Sequence, residues 1–206
     1  MKRSGTIELD ALPARWARLW KVHGSINWRQ TASGSIERQK PIGEGDRLLI
    51  YPSEQKYSQS RRMPYLAMQD RLRSFLGRGQ AVLVTCGYSF SDQHLNDVVL
   101  QGLNANPNAI CFGLLHGERS KAPEAVSRAR GQANFNLLAA DGAVIGTVER
   151  GWLATERSEH PLHGVAVRPG DKGMGVGTPP CRFALGDFKA LGTFLAQQLT
   201  ARGEPS

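Results

Sequence analysis

Cysteine is scarce in this chain: only Cys86, Cys111 and Cys181 occur. The number is odd, the spacings are wide and no Cys-x-x-Cys is present. That excludes a zinc ribbon and argues against a disulfide-stapled secreted domain. Cys86 and Cys111 lie in apolar runs, where buried thiols are expected. No apolar run has the length of a membrane span, so no membrane partner is expected. Met1-Lys2-Arg3-Ser4-Gly5 lacks the apolar core of a secretory signal, and a cytoplasmic protein is expected. Glycine (23) and proline (11) are only modestly enriched, which excludes collagen-like and low-complexity chains. No glycine-rich strand–turn–helix precedes residue 80, and no Gly-Lys-Ser/Thr occurs anywhere.

Acid is scarce in the first part of the chain. Residues 1–80 carry 15 Lys+Arg against 7 Asp+Glu, whereas residues 81–206 carry 11 against 11. The whole net charge of +8 therefore resides in the first 80 residues. A basic segment of this kind suits an anionic partner such as nucleic acid, a phosphate-bearing ligand or an acidic subunit, and equally suits a solvated face. What is present suits one domain: 206 residues, 40% of them hydrophobic, can bury a real core.

Leu19–Val22 reads as a short strand ending at His23-Gly24-Ser25. Ile26–Arg29 and Ile36–Arg38 flank Ser33-Gly34-Ser35 as a hairpin. Arg47–Tyr51 is a strand stopped by Pro52, and a polar loop follows to Arg62. Pro64–Leu76 is helical, with Tyr65, Met68, Leu72, Phe75 and Leu76 at helical spacing. Ala81–Cys86 is an apolar strand of the buried parallel type. After Gly87, Ser91-Asp92 caps a helix whose Leu95, Val98, Val99, Gly102 and Leu103 share a face. Ala109–Leu115 is the next buried strand, so a β-α-β unit with parallel crossover is expected. Pro123–Arg130 is a helix, and Asn136–Ala140 pairs with Ala143–Val148 about Asp141-Gly142. Asp187–Thr200 closes the chain as a helix with Phe188, Leu191, Leu195 and Leu199 inward. The class is α/β with a mostly parallel sheet and flanking helices. The two or three buried strands make half of such a sheet.

Three places invite chemistry. His23 stands at a strand end beside Gly24, whose missing side chain lets a ligand approach; a histidine there suits a general base. Gly87-Tyr88-Ser89-Phe90-Ser91-Asp92 joins a parallel strand to a helix start. Ligands of open α/β sheets bind outside the carboxyl ends of the strands, and a helix start offers N–H groups to a phosphate or ribose. Asp92, His94 and Asn96 lack the third histidine or carboxylate cluster a metal needs, so no metal is expected. The glycine-rich stretch 168–180 reads as a surface loop. Arg61, Arg62, Arg71 and Arg73 are placed to touch phosphates, but no nucleic-acid-binding motif accompanies them.

Taken together, the blocks resemble a family. Leu19-Trp20-Lys21-Val22-His23-Gly24-Ser25-Ile26-Asn27-Trp28 is similar to a signature of the bacterial sirtuin-like NAD-hydrolase domains of antiphage defence systems. Ile50-Tyr51-Pro52-Ser53 through Lys56-Tyr57 and Pro64-Tyr65 resembles the next block, Gly87–Asn96 the third, and Leu185-Gly186-Asp187-Phe188 a C-terminal feature. The resemblance implies a Rossmann-like domain that binds NAD as substrate and cleaves its nicotinamide–ribose bond without zinc. It makes His23 the catalytic group, acting as base or orienting the ribose hydroxyls. Gly24, Ser25, Gly87, Tyr88, Ser89 and Asp92 are then the cofactor-binding residues.

The chain departs from that family in one respect. The Gly-Ala-Gly cofactor loop and the Asn-Tyr-Asp block of the family's N-terminal half are absent. The expectation is therefore an incomplete, C-terminal half of a sirtuin-like domain, one that binds NAD weakly and hydrolyses it poorly unless the missing half completes it. Residues 1–18 would be an extension, 19–200 the NAD-binding half-domain and 201–206 a disordered tail. Such a half-domain is expected to expose an apolar sheet edge or face. The alternative is a non-catalytic remnant or docking module, with a partner chain or self-association completing the sheet, or with nucleic acid as the partner of its basic segment.

Overall fold

The structure, a computed structural model, describes residues 19–31, 36–38, 47–49, 65–152, 165–169 and 181–201. The chain divides into two compact units, Met1–Met68 and Gln69–Ser206.

In the first unit, β1 (Gly24–Gln30) pairs antiparallel with β2 (Ile36–Arg38) and with β3 (Arg47–Leu49), in the order β2-β1-β3. Trp28 lies opposite Arg38 and Gln30 opposite Ile36, the hairpin the alternation predicts. The register against β3 shifts between Gly24 and Arg29, so this pairing is irregular. The strand expected over Leu19–Val22 does not form. Val22 and His23 lie in a turn closed by the Gly24 N–H donating to the Lys21 carbonyl (3.0 Å), and extended pairing starts only at Gly24. The expected Ser53–Arg62 loop and the Ile50–Tyr57 block lie outside the described residues, as do residues 1–18, 170–180 and 202–206.

Helix α1 (Tyr65–Leu76) crosses the boundary between the units. The second unit is built on a five-stranded sheet of order β4-β5-β6-β7-β8. Its strands are β4 (Ala81–Cys86), β5 (Ala109–Leu114), β6 (Phe135–Ala139), β7 (Gly142–Ile145) and β8 (Val148–Gly151). Helix α2 (Gln93–Ala105) joins β4 to β5, and α3 (Pro123–Gly131) leads into β6. The β4–β5 and β5–β6 pairs are parallel, while β6–β7 and β7–β8 are antiparallel. This is a mixed α/β fold of Rossmann-like type, with the parallel part confined to three strands. The strand expected over Ala143–Val148 is two strands, because Gly146 (φ 53°) and Thr147 (φ 75°) turn the chain in the left-handed region.

Alternation along the strands gives the sheet two apolar faces. Cys111, Phe135, Leu137 and Val144 meet Leu76, Val99, Leu103, Ala125 and Ala129 from the helices. The other face, with Phe112, Leu114 and Leu138, meets the antiparallel pair β9 (Val167–Pro169) and β10 (Cys181–Phe183) and the final helix α4 (Phe188–Ala201). Helices and sheet thus form layers about two apolar clusters, one on each face of the sheet.

Two expectations about burial are corrected. Among the described strands β4 pairs only with β5, so it is an edge; Val82 (60%) and Val84 (50%) are exposed rather than buried on both faces. On α4, Phe188, Leu195 and Leu199 point outward, while Ala190, Leu191 and Phe194 pack inward.

Candidate functional site

The first candidate cluster is a turn. His23 is exposed at its third position, and Gly24, at φ 82°, adopts a backbone that side chains resist. Ser25 is buried. Its hydroxyl accepts from Lys21 Nζ (2.8 Å) and donates to Asn27 Oδ1 (2.6 Å), which ties the turn to β1. His23 therefore rides on a fixed support, with its ring at the surface.

The second cluster follows β4 in the other unit. Gly87 has φ 66°, and its N–H donates to the Leu114 carbonyl at 3.0 Å, so the chain leaves the sheet by a left-handed step. Phe90 also has a positive φ, 56°, an uncommon state for a bulky residue. Its buried ring holds it there, tilted against Tyr88 at 4.6 Å and Phe135 at 5.3 Å between ring centroids. Gly113 makes the room: a Cβ on it would lie 3.1 Å from the Phe90 ring. Asn96 completes the loop from inside, donating to the Phe90 carbonyl (2.7 Å) and accepting from the Tyr88 hydroxyl (2.8 Å). Burial and the Asp92 charge push the Tyr88 phenol up, so it stays a neutral donor.

At the mouth of this loop Ser89 and Ser91 share a hydrogen bond of 2.6 Å and face solvent. Asp92 is the N-cap of α2, accepting from the Leu95 N–H at 3.2 Å, as its position before the helix predicts. The carboxylate already occupies the positive end of the helix. A ribose hydroxyl donating to it fits this place better than a phosphate, which would meet like charge.

The C-terminal block lies over the same strand ends. A Cβ on Gly186 would fall 2.0 Å from the Leu115 carbonyl oxygen and 2.5 Å from the His116 nitrogen, so backbone rests on backbone. The Cys86 thiol donates to the Leu185 carbonyl at 3.3 Å, and burial first, then Asp187, pushes its pKa up. Asp187 caps α4 through the Ala190 N–H (2.8 Å). That bond, the Lys189 N–H and the nearby His116 and Arg168 charges hold its carboxyl below the usual range. Val165, Arg168, Asp187, Lys189, Ala190 and Thr193 line an open cleft of about 400 Å³ beside it.

His23, Gly24 and Ser25 thus belong to the first unit, and Gly87, Tyr88, Ser89 and Asp92 to the second. Within the second unit the structure unites the Gly87 loop with the Leu185–Asp187 turn, two blocks that lie about 100 residues apart in sequence. Sequence reading missed Asn96 and Gly113 as supports. A glycine inside a strand was the available signal for Gly113. Arg119, which bonds Asp141 (3.1 Å) and Glu149 (2.8 Å), was also missed; it braces the β7–β8 end of the sheet. Among the described residues no three His, Cys, Asp or Glu side chains group as a metal site requires, and no helix is long and apolar enough to cross a membrane.

The glycine turn lies at the carboxyl end of a parallel strand, the place where ligands of open α/β sheets bind. The family model of the SIR2-like domain matches residues 2–133, which takes in both the His23 turn and the Gly87 loop. The chain belongs to this sirtuin-like family, whose domains are NAD-related. A search of curated proteins finds no match.

Proposed function

We propose that this chain binds NAD and cleaves its nicotinamide–ribose bond, as a sirtuin-like NAD glycohydrolase of the antiphage-defence type, with NAD-binding residues within 19–200. The observation that carries the reading is the Gly87–Asp92 loop. A left-handed glycine at a parallel strand's carboxyl end, an exposed serine pair and a capping carboxylate suit the hydroxyls of a ribose. Gly24, Ser25, Gly87, Tyr88, Ser89 and Asp92 are assigned to the cofactor, the last four on its ribose side.

In the reaction the C–N glycosidic bond breaks, its electron pair going to the nicotinamide nitrogen. Water oxygen bonds the anomeric carbon and gives up a proton. His23 is assigned to take that proton or to orient the ribose hydroxyls. General-base catalysis contributes about 10²–10⁴-fold in rate. His23→Ala is therefore expected to slow nicotinamide release by at least about a hundredfold. Release from NAD at an unchanged rate would remove His23 from the mechanism, and no release from the unsubstituted chain would remove the hydrolase reading.

A second reading, a non-catalytic docking module, is favoured by the exposed Val82 and Val84 of the β4 edge. It separates from the first by NAD binding without turnover, or by no NAD binding at all.

A further inference from the structure

We propose that β4 is a pairing edge for a second copy of this chain, joined antiparallel about a two-fold axis. The inference does not depend on NAD chemistry.

The outer edge of β4 has no strand partner among the described residues, and the outward N–H and C=O groups of an edge strand are those that a further strand pairs with. Natural edges are blunted by charge, proline or a bulge. Ala81-Val82-Leu83-Val84-Thr85-Cys86 has no charge and no proline, and its six residues pair with β5 in unbroken register. Val82 and Val84, on one face, keep 60% and 50% of their surface exposed.

The sequence of the edge selects the occupant. Val-Leu-Val reads the same in both directions. With Leu83 on the axis, Val82 of each copy lies opposite Val84 of the other, on the exposed face. Cross-strand β-branched pairs are the contacts that stabilise a sheet. An acidic partner or nucleic acid would find no cation on the strand. The ends differ in charge: exposed Arg78 precedes β4, and Asp92 follows it. Antiparallel pairing sets the basic end of each copy toward the acidic end of the other, whereas a parallel partner would set like beside like.

Light scattering on the full chain, over a wide concentration range, tests this. The expected mass is twice 22.5 kDa. Val82→Lys together with Val84→Lys is expected to return a monomer with an unchanged circular dichroism spectrum and melting temperature. Leu195→Lys with Leu199→Lys, on the outward stripe of α4, is expected to leave the dimer intact. A monomer throughout, or a dimer that survives the valine substitutions and yields to the leucine ones, overturns the proposal.

Hydrogen exchange on the unsubstituted chain decides the matter if the valine variant misfolds. The β4 amides facing away from β5 are expected to slow as concentration rises. Protection of those amides at every concentration in a monomer would show another segment or partner on the edge, and would overturn the proposal too.

Discussion

Gly186 is the residue whose side chain matters most by its absence. An added Cβ would sit 2.0 Å from the Leu115 oxygen and 2.2 Å from its carbonyl carbon, both backbone atoms that cannot rotate away. Gly186→Ala is expected to cost about 3 kcal/mol or more, at the upper end of overpacking effects. Gly192, inside α4, meets nothing within 4 Å, and Gly192→Ala is expected to add about 0.5–1 kcal/mol through helix propensity alone. Urea midpoints measure both, and equal effects of one sign would contradict the contrast. At this scale the sequence showed which residues begin and end elements: Gly87 and Asp92 stand where they were expected. It did not show the long-range bonds of two half-buried asparagines. Asn106 donates to the Leu76 carbonyl at 2.8 Å, 30 residues away, and Asn134 to the Ala109 carbonyl at 2.8 Å. Such bonds close helix ends and loops across the fold, and no local spacing announces them.

Among the elements, α2 was legible because its apolar residues leave one solution: Val98, Val99 and Leu103 are buried, with a capping aspartate before them. Helix α4 has two apolar faces. Phe188, Leu195 and Leu199 form one and Ala190 and Phe194 the other, with Leu191 bordering both, so periodicity alone cannot choose. Packing on Phe112 and Leu138 chose the second. The start of α4 gives a pH prediction. The lowered Asp187 carboxyl is charged in the folded state over a wider pH range than in the unfolded chain. Its stabilisation is therefore present above the unfolded carboxylate range and is lost as pH falls through the folded value. Asp187→Asn keeps a capping oxygen but no charge. The unsubstituted chain is expected to be the more stable at neutral pH, with the difference shrinking below about pH 4, near the carboxylate reference value. Denaturant melts across that range measure it, and a gap that stays constant to pH 3 would contradict the cap's charge.

For the molecule as a whole, the β-α-β unit and its parallel register were readable from two apolar runs separated by an amphipathic one. The antiparallel end was not, because β7 and β8 are four residues each and their turn uses a threonine at positive φ. The open edge at β4 could not be read from its own residues. An edge strand exposed on one face and a central strand buried on both can carry the same apolar sequence; only the sheet order separates them.

NAD is proposed to meet the loop at the carboxyl end of β4. Hydrogen exchange of the full chain, with and without NAD, tests it most directly. Exchange is expected to slow across Gly87–Leu95, where the loop and the first turn of α2 would face the ribose. Exchange unchanged there at saturating NAD, or protection confined to segments away from the strand ends, would contradict it.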